Sequence, residues 1–288
     1  MKLGIGLPNT MGYEVDRKLM LDWARLADEA GFHVLGTIDK PNYDSWDPLV
    51  TLAGVAGVTE RIRLATTILI APYRGNGAVV AKQAATLDQV SNGRLVLGVA
   101  VGGREDDYVA AGLDFHTRGR RFDEMLELWE RIWRGDEFGT AGGIGPQPPR
   151  GRPALYIGGS VDATFERAAR YADGWMLGGA PPDQLRANVP KLEAAWRAAG
   201  REGEPYKWAL TYFSLGAQAE ADAQRYLGHY YAWLGEVADM IAAGAAKDAE
   251  TVRRYLKAYE DAGCDELVLF PCSTDPGQVD LLADAAGL

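Results

Sequence analysis

The clearest pattern of hydrophobic and polar positions lies in residues 61–104. The run from Ile62 to Ile70 is apolar and β-branched almost throughout, which is typical of a parallel strand that is covered on both faces. Residues 78–90 have apolar side chains at helix-compatible spacing and end in the turn residues Ser91-Asn92-Gly93, and a second apolar run follows from Arg94 to Val101. We therefore predict a strand–helix–strand unit with a right-handed crossover.

The same alternation continues along the whole chain. Strands are predicted at residues 2–7, 33–38, 62–70, 94–101, 154–158, 174–177, 207–215 and 266–270, and each is followed by at least one helix, including a long helical region at 217–244. Eight strands are the number that closes a parallel barrel. The predicted fold is an α/β (β/α)8 TIM barrel that uses residues 1–288 as a single domain, and an open doubly wound sheet is the alternative. Residues 135–152, rich in glycine and proline, are predicted as an irregular surface excursion.

Composition and charge narrow the classes of partner. The formal net charge of −10 and a pI of about 4.9 argue against a nucleic-acid or anionic-membrane partner, because such partners require a basic face. No apolar run approaches the about 18 residues of a membrane span, and the chain opens directly with a strand, so we expect a cytoplasmic protein. Cys264 and Cys272 are predicted to be buried free thiols.

Ligands of parallel α/β barrels bind where the strands end, and three such ends carry glycine pairs, the first of which is Gly102-Gly103. Gly158-Gly159-Ser160 leads into a predicted helix, and Gly178-Gly179 follows the next strand. Backbone amides and a helix N-terminus can hold an anion, so a phosphate site is one interpretation of these loops. Plain turns, which also use glycine, are the other.

Asp39-Lys40 forms a charged pair at the end of the second strand. The two residues could form a solvated ion pair, or a carboxylate and a lysine that orient a ligand. The histidines show no metal-ligand spacing, and the chain has no G-x-S-x-G elbow and no Walker loop. Without an obvious nucleophile or metal site, the sequence favours a protein whose chemistry is supplied by a bound cofactor.

The segment AKQAATLDQVSNGRLVLGVAVGG at residues 81–103 resembles the signature of the bacterial-luciferase-like flavin and deazaflavin oxidoreductases. The resemblance extends in order to residues 26–32, 47–66, 119–133 and 157–175, so it covers most of the chain up to about residue 180. It implies a luciferase-like (β/α)8 barrel, in agreement with the strand count. It also implies that reduced FMN or the deazaflavin coenzyme F420 binds at the carboxyl end of the barrel.

The resemblance further implies roles for particular residues. The cofactor ring would lean on a bulge in the third strand that contains a non-prolyl cis peptide, which here would be Thr67-Ile68, with Asp39 facing the ring and Asp106 in place of a ring-contacting asparagine. By the same resemblance, the phosphate would be held by Gly158, Gly159, Ser160, Gly178 and Gly179. Apart from the resemblance, we assign Lys40 as a candidate proton donor or anion anchor, and we expect the walls of the substrate pocket to be Tyr43, Trp46, Tyr73 and Phe115.

Two departures from the family pattern bear on the activity. Asp39-Lys40 stands where many members have Asp-His, and residues 102–107 read GGREDD where the deazaflavin dehydrogenases have G-x-G-x-x-N-E. These departures argue against sugar-phosphate or alcohol dehydrogenation and against light-emitting aldehyde oxidation.

The leading hypothesis is an oxidoreductase that exchanges hydride between reduced F420 and a small organic substrate, as a reductase. The alternatives are an FMNH₂-dependent monooxygenase and a non-catalytic flavin-binding protein. A carbohydrate-active barrel would have to use Asp39 and Asp106 as its paired carboxylates. Because barrels of this family often dimerise, a homodimer is a further expectation.

Overall fold

The computed structural model describes residues 1–288 apart from the side chain of Tyr13. Within this part of the chain, eight parallel strands close a barrel in sequence order, because each strand pairs with the next and the last pairs with the first. The strands are β1 (Lys2–Gly6), β2 (Val34–Thr37), β3 (Arg63–Ile70), β4 (Leu95–Ala100), β5 (Ala154–Gly158), β6 (Gly174–Leu177), β7 (Tyr206–Phe213) and β8 (Glu266–Pro271). The predicted barrel is confirmed, and the open-sheet alternative is wrong.

Helices surround the barrel. They are α1 (Arg17–Glu29), α2 (Pro48–Ala56), α3 (Gly77–Val90), α4 (Glu105–Ala110), α5 (Arg118–Arg134), α6 (Asp162–Tyr171), α7 (Pro182–Ala198), α8 (Ala219–Tyr230), α9 (Val237–Ala243), α10 (Ala249–Asp261) and α11 (Gly277–Ala286). Local side chains define several starts: the Asp16 carboxylate accepts the Leu19 amide at the start of α1, and the Asp47 carboxylate accepts the Val50 amide at the start of α2. None of the helices formed by the described residues has both the length and the apolar content that a membrane crossing requires.

The helical region predicted at residues 217–244 is divided into two helices. The chain forms α8, then a short 3-10 turn at Ala232–Leu234, and then α9. Gly235 lies between the turn and α9 with a φ of 60°, a conformation that is open to glycine but interrupts an α-helix. The break lets α9 pack against α8, which follows β7.

Two layers of apolar side chains build the core. One layer joins the outer faces of the strands to the helices and includes Trp23, Trp129 and Phe165. The other contains side chains that alternate with these along the strands, such as Val34, Trp208 and Val268, and it fills the barrel. Cys264 and Cys272 are buried and free, as predicted. Residues 135–152 contain a 3-10 turn at Gly139–Ala141 and an isolated bridge between Glu137 and Gly143.

Candidate active site

β3 contains a bulge at the point where the resemblance puts the cofactor ring. Its pairing with β4 changes register between Thr66 and Leu69, so Thr67 and Ile68 lie in the irregular part of the strand. The predicted bulge is confirmed. The predicted cis peptide at Thr67-Ile68 is wrong, since the cis bond found among the described residues is Gly145–Pro146. The change of register bends the strand while Thr67-Ile68 stays trans.

Threonine hydroxyls and neighbouring glycines hold this bulge in place. The Thr66 hydroxyl donates to the Gly98 carbonyl of β4 at 2.7 Å, and the Thr67 hydroxyl donates to the Thr37 carbonyl of β2 at 3.2 Å. A Cβ atom on Gly98 would overlap the Thr66 carbonyl oxygen, and a Cβ atom on Gly158 would overlap the Ile68 side chain. The two threonines in the middle of an apolar strand therefore stabilise the bulge through hydrogen bonds to the neighbouring strands. Gly158, which was predicted to bind phosphate, makes room for it.

A cavity of about 220 Å³ opens beside the bulge at the carboxyl ends of the strands. Its lining is mostly apolar and consists of Thr67, Ile68, Ala100, Gly159, Met176, Leu177, Gly178, Trp208, Ala209, Leu210 and Val268. Four residues predicted to bind the cofactor thus share one cavity: Thr67, Ile68, Gly159 and Gly178. Because small-molecule sites are usually concave and largely apolar, this cavity can hold a flat ring. We call it the ring cavity.

The two glycine loops lie side by side at the edge of the ring cavity. The Gly159 amide donates to the Met176 carbonyl at 3.3 Å, which joins the end of β5 to β6. Ser160 is exposed, and Asp162 puts a carboxylate in the first turn of α6, where an anion would otherwise be favoured. Gly179 packs beneath the Tyr212 and Tyr231 side chains and does not line the cavity. The loops are adjacent, and phosphate binding by them stays a prediction.

Asp39 lies just after the end of β2 and is buried, with 5% of its surface exposed. One carboxylate oxygen accepts the Ile70 amide at 2.9 Å, and the other accepts Arg74 Nη2 at 3.0 Å. Arg74 also donates to Asp47 at 2.8 Å. Burial raises the pKa of Asp39, and the Arg74 guanidinium opposes that shift. Asp39 therefore ties the turn after β3 to β2, and both of its oxygens are already engaged.

Lys40 pairs with Asp107, which follows β4. The Lys40 Nζ lies 3.2 Å from Asp107 Oδ2, and the two side chains are only 10% and 2% exposed. Burial lowers the pKa of Lys40 and raises the pKa of Asp107, and in each case the partner's charge opposes the shift. Among the described residues, Asp107 Oδ1 has no hydrogen-bond partner although it is buried. The solvated Asp39–Lys40 pair considered from the sequence is wrong, because each residue pairs elsewhere and is buried.

Asp106 lies at the rim of the barrel mouth. Its side chain is 49% exposed and is held by Arg104, whose Nε donates to Asp106 Oδ1 at 2.8 Å. The hydrogen bonds from Arg104 lower the pKa of Asp106 to about 2. The buried acid of this loop is thus Asp107, the next residue along the chain. Because arginines also neutralise Asp39, the Asp39–Asp106 pair that a carbohydrate-active barrel would need is not free.

Sequence reasoning missed Asp107, Arg74 and Arg104. Glu105, Asp106 and Asp107 are consecutive acidic residues at the start of α4. Only their positions around the helix axis decide which of the three side chains faces the protein interior. The buried Tyr108 follows Asp107 directly, and it is the one local signal that this end of the triplet faces inward. Nothing in the sequence around Asp39 indicates that its partner would be Arg74.

Three of the four predicted pocket residues lie around the mouth of the barrel. Tyr43 stacks on Tyr230 with ring centroids 5.5 Å apart, and its hydroxyl donates to the Tyr230 carbonyl at 3.0 Å. Tyr73 and Phe115 both meet the Tyr108 ring edge-on, at 6.3 Å and 5.5 Å. These aromatic rings cover the Lys40–Asp107 side of the mouth.

Trp46 lies away from the other predicted pocket residues. Its backbone is held by Asn9, which accepts the Trp46 amide at 2.9 Å and donates to the Trp46 carbonyl at 3.2 Å. Its side chain lines a groove between α1 and α2 and packs on the outer core. The prediction that Trp46 shares a pocket with Tyr43 is therefore wrong. In the part of the chain that the structure describes, no three His, Cys, Asp or Glu side chains are arranged to hold a metal ion.

Comparison with known proteins identifies the family. The model of a family described as luciferase-like monooxygenase matches residues 1–279. The chain belongs to the luciferase-like monooxygenase family. Among curated relatives, uncharacterized proteins of Mycobacterium tuberculosis and Mycobacterium bovis are 36% identical to this luciferase-like chain over 163 residues. That match covers 54% of the chain and 56% of each relative, so it spans about half the length of these proteins.

Solved structures share the luciferase-like fold over nearly the full length. Monooxygenase RslO1 from Streptomyces bottropensis is 23% identical, with a TM-score of 0.78 and coverage of 99% of this chain and 98% of that one. An F420-dependent secondary alcohol dehydrogenase, solved with an F420–acetone adduct, is 21% identical with a TM-score of 0.79 and 99% coverage of both chains. The coenzyme F420 dependent tetrahydromethanopterin reductase from Methanopyrus kandleri is 18% identical, with a TM-score of 0.78 and coverage of 99% and 98%. At these identities the likeness shows the fold alone.

Proposed function

We propose that the protein is an oxidoreductase that exchanges hydride between reduced coenzyme F420 and a small neutral organic substrate, acting as a reductase. The observation that carries this proposal is the ring cavity beside the β3 bulge, which brings together Thr67, Ile68, Gly159 and Gly178. Two of the structures with the same fold are named as F420-dependent enzymes, which supports the choice of cofactor.

The residues present fit a flat, uncharged ring system. The ring cavity is lined by apolar side chains such as Met176, Trp208 and Leu210, and its floor is the bulge that Gly98 and Gly158 make possible. At about 220 Å³ it is smaller than the roughly 300–1,000 Å³ of most complete ligand sites, so it suits one end of a larger molecule. The remainder of the cofactor would leave past Gly159 and Gly178.

When bound, the reduced deazaflavin would supply a hydride and become oxidised. The residues of the chain would exclude water from the ring cavity and hold the β3 bulge in a fixed geometry. Apolar side chains around the bulge exclude water, which strengthens the polar interactions at the edge of the site. The hydrogen bonds of Thr66 and Thr67 to neighbouring strands keep the bulge from shifting.

Lys40 would donate the proton that the reduction requires, and Asp107 would position Lys40. Reduction of a carbonyl adds a hydride to carbon and a proton to oxygen, and Lys40 Nζ can donate that proton. Since burial lowers the pKa of Lys40, its ammonium is a stronger acid than that of an exposed lysine. Asp107 positions the ammonium and keeps it charged until the transfer, and solvent then returns a proton to the amine.

The proposal is tested by mixing the purified protein, under anaerobic conditions, with reduced F420 and a panel of neutral carbonyl and enone acceptors, and following cofactor oxidation. Acceptor-dependent oxidation of reduced F420 is the expected result. A parallel series with FMNH₂ and oxygen tests the monooxygenase alternative, which the family description favours. An oxygenated product formed only with FMNH₂ would support that alternative. Tight binding of a cofactor without its oxidation across the panel would support a non-catalytic flavin-binding protein.

A further inference from the structure

Arg104 follows β4 at the mouth of the barrel, yet its side chain is only 11% exposed. Its guanidinium carbon lies 5.2 Å from the centre of the Tyr43 ring and 5.3 Å from the centre of the Trp233 ring. Its Nη1 also donates to the Tyr43 hydroxyl at 3.0 Å. We call Arg104, Tyr43 and Trp233 the Arg104 cluster. The cluster joins three segments that are far apart in the sequence: the loop after β2, the loop after β4 and the turn between α8 and α9.

The turn between α8 and α9 contains no buried residue, and Trp233 at its centre is 50% exposed. The hydrogen bonds within the turn are local, since the Leu234 amide donates to the Tyr231 carbonyl at 2.8 Å and the Gly235 amide donates to the Ala232 carbonyl at 3.2 Å. A segment with exposed side chains and only local hydrogen bonds opens easily. The contact with Arg104 therefore attaches this turn to the β4 side of the barrel mouth.

The same guanidinium is a positive charge beside the Lys40–Asp107 pair. Lys40 Nζ lies 6.0 Å from the centre of the Tyr43 ring, so the two cations lie against one ring. Of the charged groups that act on Lys40, Asp107 and Asp106 raise its pKa and Arg104 lowers it. The titratable phenols around the pair are those of Tyr43, Tyr73, Tyr108 and Tyr230.

We propose that Arg104 is a positioning residue that fastens the turn between α8 and α9 across the barrel mouth and sets the charge around the Lys40–Asp107 pair. This inference rests on the proposed function, because it gives Arg104 a part in supplying the proton for the reduction. The contact with Trp233 requires the flat face of the guanidinium, whereas the effect on Lys40 requires only its charge. Removing Trp233 and removing Arg104 therefore separate the two effects.

The attachment of the turn is tested on the full chain without any cofactor, by hydrogen exchange followed by mass spectrometry. Removing the guanidinium in Arg104→Gln should make the amides of residues 232–237 exchange about tenfold faster. Arg120→Gln is the matched control, because Arg120 is 71% exposed and pairs with Glu124 on its own helix, so exchange at residues 232–237 should stay as in the wild type. Unchanged exchange at these residues in Arg104→Gln would overturn the attachment.

The effect of the charge is measured by an NMR titration of protein with isotopically labelled lysines, again without cofactor, and Lys40→Met identifies the signal of Lys40. Since Arg104 lowers the pKa of Lys40, Arg104→Gln should move the titration of Lys40 to higher pH. Trp233→Ala opens the turn but keeps the charge, so the titration should move less in this variant. Equal movement in Arg104→Gln and Trp233→Ala, or movement to lower pH in Arg104→Gln, would overturn the charge effect.

Because these two measurements need no cofactor, their failure is distinct from failure of the proposed function. If exchange and titration change as expected but neither reduced cofactor is ever oxidised, the action of Arg104 on the turn and on Lys40 stands, and its part in the reduction falls. In the active enzyme, the pH at which kcat falls should be higher in Arg104→Gln than in the wild type. A fall of kcat at lower pH in Arg104→Gln would overturn the proposal.

Discussion

Lys40 Nζ lies 3.2 Å from Asp107 Oδ2, although the two residues are 67 positions apart and follow different strands. Both side chains are almost fully buried, and the second carboxylate oxygen of Asp107 has no hydrogen-bond partner among the described residues. The pair therefore holds the Lys40 ammonium in a fixed place against a buried carboxylate. Under the proposed function, this pair would supply the proton that the reduction consumes.

Replacing Lys40 with methionine should remove the proton donor while keeping the volume of the side chain. We expect kcat for cofactor oxidation to fall about 100-fold to 10,000-fold, the usual contribution of general acid catalysis, with the Kd for reduced F420 unchanged. Steady-state kinetics gives kcat, and an equilibrium titration gives the Kd for reduced F420. Lys18→Met, at an exposed lysine of α1, is the matched control and should behave as the wild type. A loss of cofactor affinity equal to the loss in kcat would show that Lys40 binds rather than donates.

The pH profile should report the same pair. Lys40 must be protonated to donate, so kcat should fall as the pH rises through the pKa of Lys40, which burial holds below its ordinary value of 10.5. The negative charge of Asp107 raises that pKa, so Asp107→Asn should move the falling limb to lower pH. The direction of the shift is checked by measuring kcat from neutral to alkaline pH for the wild type and for Asp107→Asn. A shift of the limb to higher pH in Asp107→Asn has the wrong sign and would contradict the assignment.

The two Asp–Arg pairs at the barrel mouth should differ in their effect on stability. Asp39 is buried and its loss leaves Arg74 without one partner, so Asp39→Ala should lower the free energy of unfolding by about 3 kcal/mol. Asp106 is half exposed, and Asp106→Ala should cost less than about 1 kcal/mol. Urea unfolding of the two variants measures the difference. Equal losses would mean that burial does not distinguish the pairs.

Glycine at position 98 should be required by the β3 bulge. In Gly98→Ala the new Cβ atom meets the Thr66 carbonyl oxygen, which belongs to the backbone and cannot move aside easily. We expect a loss of about 1–3 kcal/mol in the free energy of unfolding, together with weaker cofactor binding. Gly54→Ala is the control, because nothing lies within 4 Å of that position in α2, and it should gain about 0.5–1 kcal/mol from helix propensity. If both variants are equally stable, the bulge does not depend on Gly98.

The barrel could be predicted because its evidence is local and repeated. The run from Ile62 to Ile70 is apolar at most positions, as is typical of strands covered on both faces, and Thr66 and Thr67 stand out within it. The site could be predicted only in part. Strand ends and the family resemblance indicated Thr67, Ile68, Gly159 and Gly178, which line one cavity. The partners of Asp39 and Lys40 depend on contacts between distant loops that no local pattern encodes.

The remaining errors have equally physical origins. Asp106 and Asp107 are chemically identical neighbours, and only the phase of the short helix α4 decides which one turns inward. The break between α8 and α9 depends on the backbone conformation of Gly235, one glycine among several in that region. Trp46 is an aromatic residue of the kind that often lines pockets, but Asn9 holds its backbone and its side chain lines the groove between α1 and α2.

The central claim is that the cavity on the β3 bulge holds a reduced deazaflavin next to the Lys40–Asp107 pair. It is tested most directly by an anaerobic titration of the protein with reduced F420, followed by addition of a neutral carbonyl acceptor while the cofactor spectrum is recorded. The account predicts micromolar binding and acceptor-dependent oxidation in the wild type, and equal binding with strongly slowed oxidation in Lys40→Met. Absence of binding at micromolar concentration, or oxidation in Lys40→Met at the wild-type rate, would contradict it.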